Sequence, residues 1–393
     1  MMEGVILISG LVLGIWVYLV VLHGRYWRER PAKALGSTLT DGPKHWPEVC
    51  AVVPARNEAS VVGEAVGSLL CQDYAGKLRI ILVDDQSSDG TADIVRRTAD
   101  ELAAAERVRV ISGKPLPEGW TGKMWAVHQG SAQIEEFSAG AKYIWLTDAD
   151  IAHDADSLRG LVARAEAGNL ALTSLMARLK TDTFAERALI PAYVYFFQML
   201  YPFAWVNDPK KKMAGAAGGC MLVQRKALKA AGGIAAIKHA LIDDCALGKV
   251  LKKHGPIWLG LADGVRSLRG YPTWGDIWRL IARSAFTQLH HSLLILAACV
   301  FGMALTFVAP PLLTIQPDVG VRVFGLAAWA LMALTYLPTL IYYRQPVWWA
   351  PLLPLTALFY LAATIDSARR HLMGRGGEWK GRVQAQKQSQ KLV

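Results

Sequence analysis

Residues 4–22, GVILISGLVLGIWVYLVVL, carry no charged side chain. Crossing the hydrocarbon core of a bilayer as a helix takes about 20 apolar residues, so this run is long enough to span one. A cleaved leader would place basic residues ahead of a shorter apolar run. Here only Glu3 precedes it, and Arg25, Arg28, Arg30 and Lys33 follow. The run reads as a retained anchor over 1–24 whose C-terminal end faces the cytoplasm, where basic flanks are favoured. A second apolar block extends from Ser292 to Asp366, and breaks at Gln316-Pro317-Asp318 and Arg344-Gln345-Pro346 divide it into three segments. A basic tail over 367–393 follows. Three late crossings would put Arg369, Arg370, Arg375, Lys380, Arg382, Lys387 and Lys391 outside the cell, against the same charge rule. Pro351 and Pro354 mark the last segment as the one to re-enter or lie at the interface.

Between these blocks, about 45–270 has the mixed composition of a domain on the cytoplasmic side. Val49–Val53, Arg79–Val83, Val108–Ile111 and Tyr143–Thr147 are short apolar runs that read as strands. Helical patterns alternate with them. Ser60–Leu70 places Val62, Val66, Leu69 and Leu70 on one face, and a helix from Thr91 carries Ile94, Val95 and Leu102. Such alternation predicts an α/β fold: a mixed, mainly parallel sheet with helices on both faces. Ligands of such sheets sit beyond the carboxyl ends of the strands. Asp84-Asp85 and Asp148-Ala149-Asp150 fall there, behind two strands far apart in sequence.

These acids suit the transfer of a sugar from a nucleotide donor. The first cluster, Val83 to Thr91, can accept hydrogen bonds from a base and a ribose, although Ser88 or Asp89 could also cap the helix that follows. Asp148 and Asp150, at i and i+2, can share one Mg²⁺ or Mn²⁺ with diphosphate oxygens, since hard cations prefer oxygen ligands. Asp154 and Asp156 beyond them read as the start of the next helix. Asp243-Asp244 opens a helical stretch to about Lys253, where a carboxylate can act as general base on an acceptor hydroxyl or simply suit the helix dipole. Gly122-Lys123 offers a close backbone approach and a cation. Trp274–Leu289 is amphipathic, with Arg279 and Arg283 one turn apart, and reads as an interfacial helix over 271–290, one of whose arginines could reach a diphosphate. Leu189–Val206, with two prolines and many aromatics, reads as interfacial or acceptor-lining.

Other chemistries find no support. The net charge of +11 lacks basic runs with interleaved aromatics, so it points to an anionic membrane and a diphosphate, and away from nucleic acid. The five cysteines form no CxxC pair and read as free thiols in a reducing compartment. His290-His291 reads as interfacial. GxSxG, P-loop and GxGxxG motifs are absent.

Taken together, Val53-Pro54-Ala55-Arg56-Asn57-Glu58, Val83-Asp84-Asp85-x-Ser87-x-Asp89-x-Thr91, Gly122-Lys123, Asp148-Ala149-Asp150 and Asp243-Asp244 resemble family 2 glycosyltransferases in order and spacing, over about 45–290. With the anchor, a C-terminal membrane region over 291–366 and Trp379-Lys380-Gly381-Arg382, the likeness is closest to the hopene-associated members. The resemblance implies the GT-A fold and an inverting transfer from a UDP-sugar with a divalent metal, at the inner membrane. It implies nucleotide-sugar binding by Pro54, Ala55, Asn57, Glu58, Asp84, Asp85, Ser87, Lys123, Asp148 and Arg283. Asp148 and Asp150 would hold the metal, and Asp244, beside Asp243, would be the base. Two departures stand out. The acidic pair, usually Glu-Asp in the family, is Asp-Asp. A Gln/Arg-x-x-Arg-Trp motif, common in membrane-bound members, is missing, since Ser284 follows Arg283.

The reading that follows is a multi-pass membrane enzyme moving single sugars to a lipid or lipid-linked acceptor, a hopanoid among them. The alternatives are a processive polysaccharide synthase and a catalytically silent membrane scaffold with the same fold.

Overall fold

The computed structural model describes residues 2–29, 31, 42–374, 378–379 and 382–383. Arg30, Lys33, Arg375, Lys380, Lys387 and Lys391 lie outside them. Eight strands form one mixed sheet: β1 (Val49–Ala55), β2 (Leu78–Asp84), β3 (Val108–Ser112), β4 (Tyr143–Thr147), β5 (Ile151–His153), β6 (Leu172–Arg178), β7 (Cys220–Gln224) and β8 (Ile257–Ser267). Their order is β3-β2-β1-β4-β7-β6-β8-β5. The first four in that order are parallel, and β7 runs antiparallel between β4 and β6. This is the expected mixed, mainly parallel arrangement, and the first helix, α1 (Met2–Val21), precedes it in the chain.

Side-chain alternation explains why the sheet is covered on both faces. In β1, Val49, Ala51, Val53 and Ala55 point into one core and Cys50 and Val52 into the other, and all are buried. A strand apolar on both faces must be sandwiched. One face carries α2 (Val62–Leu70), α3 (Thr91–Glu101) and, further along the chain, the helix Ser157–Gly168. Helix α2 buries Val62, Ala65, Val66, Leu69 and Leu70, one stripe at helical spacing. Helix α3 buries Val95 and Ala99, whereas Leu102 lies past its end and is exposed.

The other face carries α4 (Gly122–Ala132), and its core continues without a break into the apolar helices. A Cβ on Gly130 of α4 would stand 2.6 Å from Val52 Cγ1 and 2.9 Å from Val83 Cγ2. Only glycine lets α4 lie this close to β1 and β2.

Four helices among the described residues are long and apolar enough to cross a membrane: Glu3–Val21, Leu293–Leu313, Val319–Tyr342 and Val347–Leu372. The chain breaks between the last three where the sequence places them. The Leu189–Val206 stretch is a helix over Phe184–Leu200 and a short one over Phe203–Asn207. The first is wedged between the sheet domain and the apolar helices. Its Tyr195 hydroxyl lies 2.8 Å from those of Tyr26 and Thr335. The Tyr342 hydroxyl, ending the third apolar helix, donates to Ala262 O of β8 at 2.6 Å. The last apolar helix meets the domain side at both ends. Trp349 packs on Phe184 with ring centroids 5.7 Å apart, and Ser367 Oγ donates to Ala282 O at 2.6 Å.

The amphipathic segment is a helix over Trp274–Ala282 and a turn of helix over Ala285–Gln288. It lies along the last apolar helix, with Trp278 Nε1 donating to Asp366 Oδ2 at 2.8 Å. All five cysteines are free.

Gly130→Val should overpack the α4–sheet contact and destabilise the domain by about 1–3 kcal/mol. Thermal unfolding of the purified protein in detergent checks this; an unchanged midpoint would contradict the packing described.

Candidate active site

The carboxyl ends of β1, β2 and β4 open on one edge of the sheet. Two loops there are laced together by side chains. Asn57 N donates to Ser87 Oγ at 2.9 Å, and Ser88 N donates to Asn57 Oδ1 at 2.9 Å. Ala59 N donates to Asp89 Oδ2 at 3.0 Å, and Thr91 N to Asp89 Oδ1 at 3.1 Å. Asp89, one residue before the Gly90 N-cap, thus binds the first amide of α3 while tying it to the β1 loop. Asn57 and Gln86 take left-handed backbone, with φ of 52° and 58°, which Asn tolerates better than most residues. Asp84 is the half-buried acid presented at this edge and accepts Ser87 N at 3.1 Å. Asp85 is buried beneath it, with Arg56 Nη1 3.7 Å from its Oδ2. The pair thus divides, one acid facing outward and one held by an arginine.

At the end of β4, Thr147 fixes the loop that follows. Its Oγ1 donates to Gly219 O at 2.9 Å and lies 2.9 Å from His153 Nε2. Burial lowers the His153 pKa to about 3, so the ring is neutral and Nε2–H donates to Thr147. Asp148 and Asp150 project from this fixed loop. Asp154 and Asp156 do precede the next helix, and Asp154 is ion-paired with Arg266 at 3.1 Å.

Asp148 is the centre of the site. Lys123, in the first turn of α4, places its Nζ 2.9 Å from Asp148 Oδ1 and 3.1 Å from Asp243 Oδ2. Thr121 caps α4 by accepting Met124 N at 3.3 Å, which sets where Lys123 starts. Asp243 and Asp244 open the helix Asp243–Leu251. Asp244 Oδ2 accepts Gly218 N at 2.9 Å, and Oδ1 accepts Cys245 N at 2.7 Å. One ammonium thus joins acids 95 positions apart, 148 to 243, from a sheet edge and a helix start. Pro54, Lys123, Asp148, Gly218 and Asp243 line one cleft. Asp84 is not in that cleft; it stands two strands away on the same edge, about 10 Å at ordinary strand spacing.

Electrostatics follow from this crowding. Burial disfavours the Lys123 ammonium, yet Asp148, Asp243 and Asp244 hold its pKa above the usual lysine value. Burial raises Asp148, with Asp150 adding to it against the pull of Lys123. Burial and then the neighbouring Asp243 raise Asp244 to about 6.

No sequence signal points to Arg269, beyond the end of β8. Its Nε donates to Asp150 Oδ2 at 3.0 Å and its Nη2 pairs with Glu58. Glu186, buried at the start of the helix Phe184–Leu200, holds this loop by accepting Tyr271 N at 2.5 Å. A lone arginine after a strand carries no motif, so only the fold reveals it. Arg279, by contrast, pairs with Asp276 at 2.5 Å on the exposed side and does not reach the site. Arg283 is exposed at the end of its helix, within electrostatic reach of Tyr193 and Tyr271, and Tyr271 in turn feels Asp150 and Asp148. His291 stacks on His371 at 4.1 Å, away from the acids.

No group of three or more His, Cys, Asp or Glu side chains suited to a metal occurs among the described residues. Asp148 and Asp150 are two carboxylates at one edge. That donor set fits a hard cation whose remaining ligands come from a diphosphate and water.

Residues 50–232 match the family model described as glycosyl transferase family 2, and residues 143–363 that of glycosyl transferase family group 2. An N-acetylglucosaminyltransferase of Rhizobium sp. (strain N33) is 30% identical over 167 residues, 42% of this chain and 34% of that protein. A beta-monoglucosyldiacylglycerol synthase of Synechocystis sp. is 28% identical over 197 residues, 48% of this chain and 37% of that protein. The chain thus covers about a third of the length of these curated relatives. A mannosyltransferase from Pyrobaculum calidifontis, solved with GDP-Man and Mn²⁺, superposes with a TM-score of 0.52 at 18% identity. The match covers 92% of this chain and 98% of that one, and shows the GT-A fold.

Lys123→Met removes the cation among Asp148, Asp243 and Asp244 and should destabilise the protein by roughly 1–3 kcal/mol at neutral pH. Protonation relieves the repulsion among the acids, so the loss should shrink near pH 4. Thermal unfolding at both pH values reads this; an equal loss at both would mean that charge is not what Lys123 contributes.

Proposed function

The chain belongs to glycosyl transferase family group 2, and from that membership we propose that it is a membrane-bound inverting enzyme moving one sugar from a nucleotide diphosphate sugar, UDP-linked by the family resemblance, to a lipid or lipid-linked hydroxyl. The observation that carries this is the Lys123 bridge between Asp148 and Asp243, with Asp244 beside it. Lys123 thus draws a diphosphate-side acid next to the acidic pair that holds the candidate base.

In this reading Asp84 and Asp85 hold the nucleoside, with Pro54, Ala55, Asn57, Glu58 and Ser87 shaping its pocket. Lys123 takes the negative charge of the diphosphate, and Arg283 adds a second positive charge to it. Asp148 and Asp150 would hold Mg²⁺ or Mn²⁺, which when bound stabilises charge on the leaving group. Asp244 accepts the proton of the acceptor hydroxyl as its oxygen attacks the anomeric carbon. The bond to the diphosphate breaks and the nucleoside diphosphate departs with the electron pair. Burial, and then Asp243, raise the pKa of Asp244 and so make it a stronger base.

Location supports a lipid acceptor. The cleft's walls merge into the core shared with the apolar helices. The Synechocystis relative is by name a synthase of a glycosylated diacylglycerol, and a hopanoid is the acceptor that the family likeness suggests. A processive synthase would need a channel for a polymer, and four apolar helices are few for one. The linked set of acids speaks against a silent scaffold.

We propose a topology as well. The first and third apolar helices cross in the same sense and end against the sheet domain, and the second returns between them. The last, meeting the helix Phe184–Leu200 near its start and the amphipathic segment near its end, re-enters without crossing. The basic tail is then cytoplasmic, as its charge requires. A reporter fused after Val393 should be active in the cytoplasm; periplasmic activity would contradict this arrangement.

Asp244→Asn should slow transfer by about a hundredfold to ten-thousandfold while nucleotide binding persists. The reactive form is the carboxylate, so the wild-type rate should fall as pH drops below about 6 and level off above it. A rate that is flat between pH 5 and 8 would remove Asp244 from the role of base.

A further inference from the structure

Gly24, just past the first apolar helix, has φ of 61°, and a Cβ there would lie 2.7 Å from Pro202 Cβ. His23 packs on Trp205 with ring centroids 4.9 Å apart, and its Nε2 lies 2.8 Å from Met199 O. The end of the anchor is thereby fixed to residues 199–205. Directly after them comes Asp208-Pro209-Lys210-Lys211-Lys212, whose three lysines are exposed. Arg25 and Arg28, also exposed, flank the same contact.

The loop is built to hold its shape. Lys252 Nζ donates to Val206 O at 2.7 Å, Asp208 O at 3.1 Å and Met213 O at 2.6 Å. A lysine used to gather carbonyls is a structural cation, and it leaves the other three turned outward. Lys211 Nζ lies 6.0 Å over the Trp205 ring. The same strand of chain runs on to Ala217 N, which donates to Ser174 Oγ at 2.9 Å, and to Gly218 N on Asp244.

We infer that Lys210, Lys211 and Lys212, with Arg25 and Arg28, form a docking surface for the phosphate headgroups of anionic phospholipids. The anchor's end sets the height of the membrane surface, and Trp205 marks it, since tryptophan favours that level. Basic side chains held at that height are attracted to an anionic leaflet within about one Debye length. Of the nearby acids, Asp208 is turned back on the loop, its Oδ1 accepting Lys210 N at 2.8 Å. The docked headgroups would brace a loop whose far end positions Asp244.

The inference rests on the membrane reading of Glu3–Val21 but not on the sugar chemistry. The test uses the full chain reconstituted in phosphatidylcholine vesicles carrying spin-labelled phosphatidylglycerol or spin-labelled phosphatidylcholine. Wild type should associate with the labelled phosphatidylglycerol several-fold more strongly, and K210Q/K211Q/K212Q should lose most of that preference while binding nucleotide as before. A wild type without preference, or a triple variant that keeps it, overturns the docking surface. A chain that does not enter vesicles at all would instead overturn the membrane reading.

Discussion

A single ammonium group organises the site. Lys123 stands within 3.1 Å of carboxylates from two elements that the chain makes far apart, the end of β4 and the start of the helix Asp243–Leu251. Without a cation there, the crowded acids would repel one another in a half-buried cleft. With it, they are held together, yet their charge is offset only in part. In the function proposed, the acidic excess left over would suit a metal ion and the lysine a diphosphate. Gly218 lies against this pair: a Cβ there would sit 3.4 Å from both Lys123 Nζ and Asp244 Oδ2, in ordinary contact.

The second constraint is continuity between the sheet domain and the apolar helices. Tyr195 ties Tyr26 to Thr335, and Tyr360 donates to Leu189 O at 2.9 Å. The helix Phe184–Leu200 carries these contacts, and through Glu186 it also holds the loop of Arg269 and Tyr271. Membrane-side packing and active-site geometry therefore meet in one helix.

Much of this was legible in the sequence, for identifiable reasons. The short apolar run Val49–Val53 and the helical spacing within Ser60–Leu70 are local signals, and a strand over Val49–Ala55 and a helix over Val62–Leu70 form there. Acids behind strands were legible because chain order and sheet topology are linked. The Pro-containing breaks at Gln316-Pro317-Asp318 and Arg344-Gln345-Pro346 separate helices as expected. What the sequence could not reveal were partnerships across long separations. Arg269 with Glu58 and Asp150, and Thr147 with His153 and Gly219, depend on how β4, β5 and β8 come together. The division of labour between Asp84 and Asp85 was likewise hidden, because adjacent acids look alike until one is buried. Arg279 looked equivalent to Arg283 by helical spacing, but Asp276 claims it.

The central claim is the product itself. Purified full-length protein, given a panel of labelled nucleotide sugars, a divalent metal and membrane lipid extract, should yield one lipid species heavier by a single sugar, with release of the nucleoside diphosphate. A ladder of polymer masses, or nucleotide turnover with no sugar on any lipid, would contradict the account.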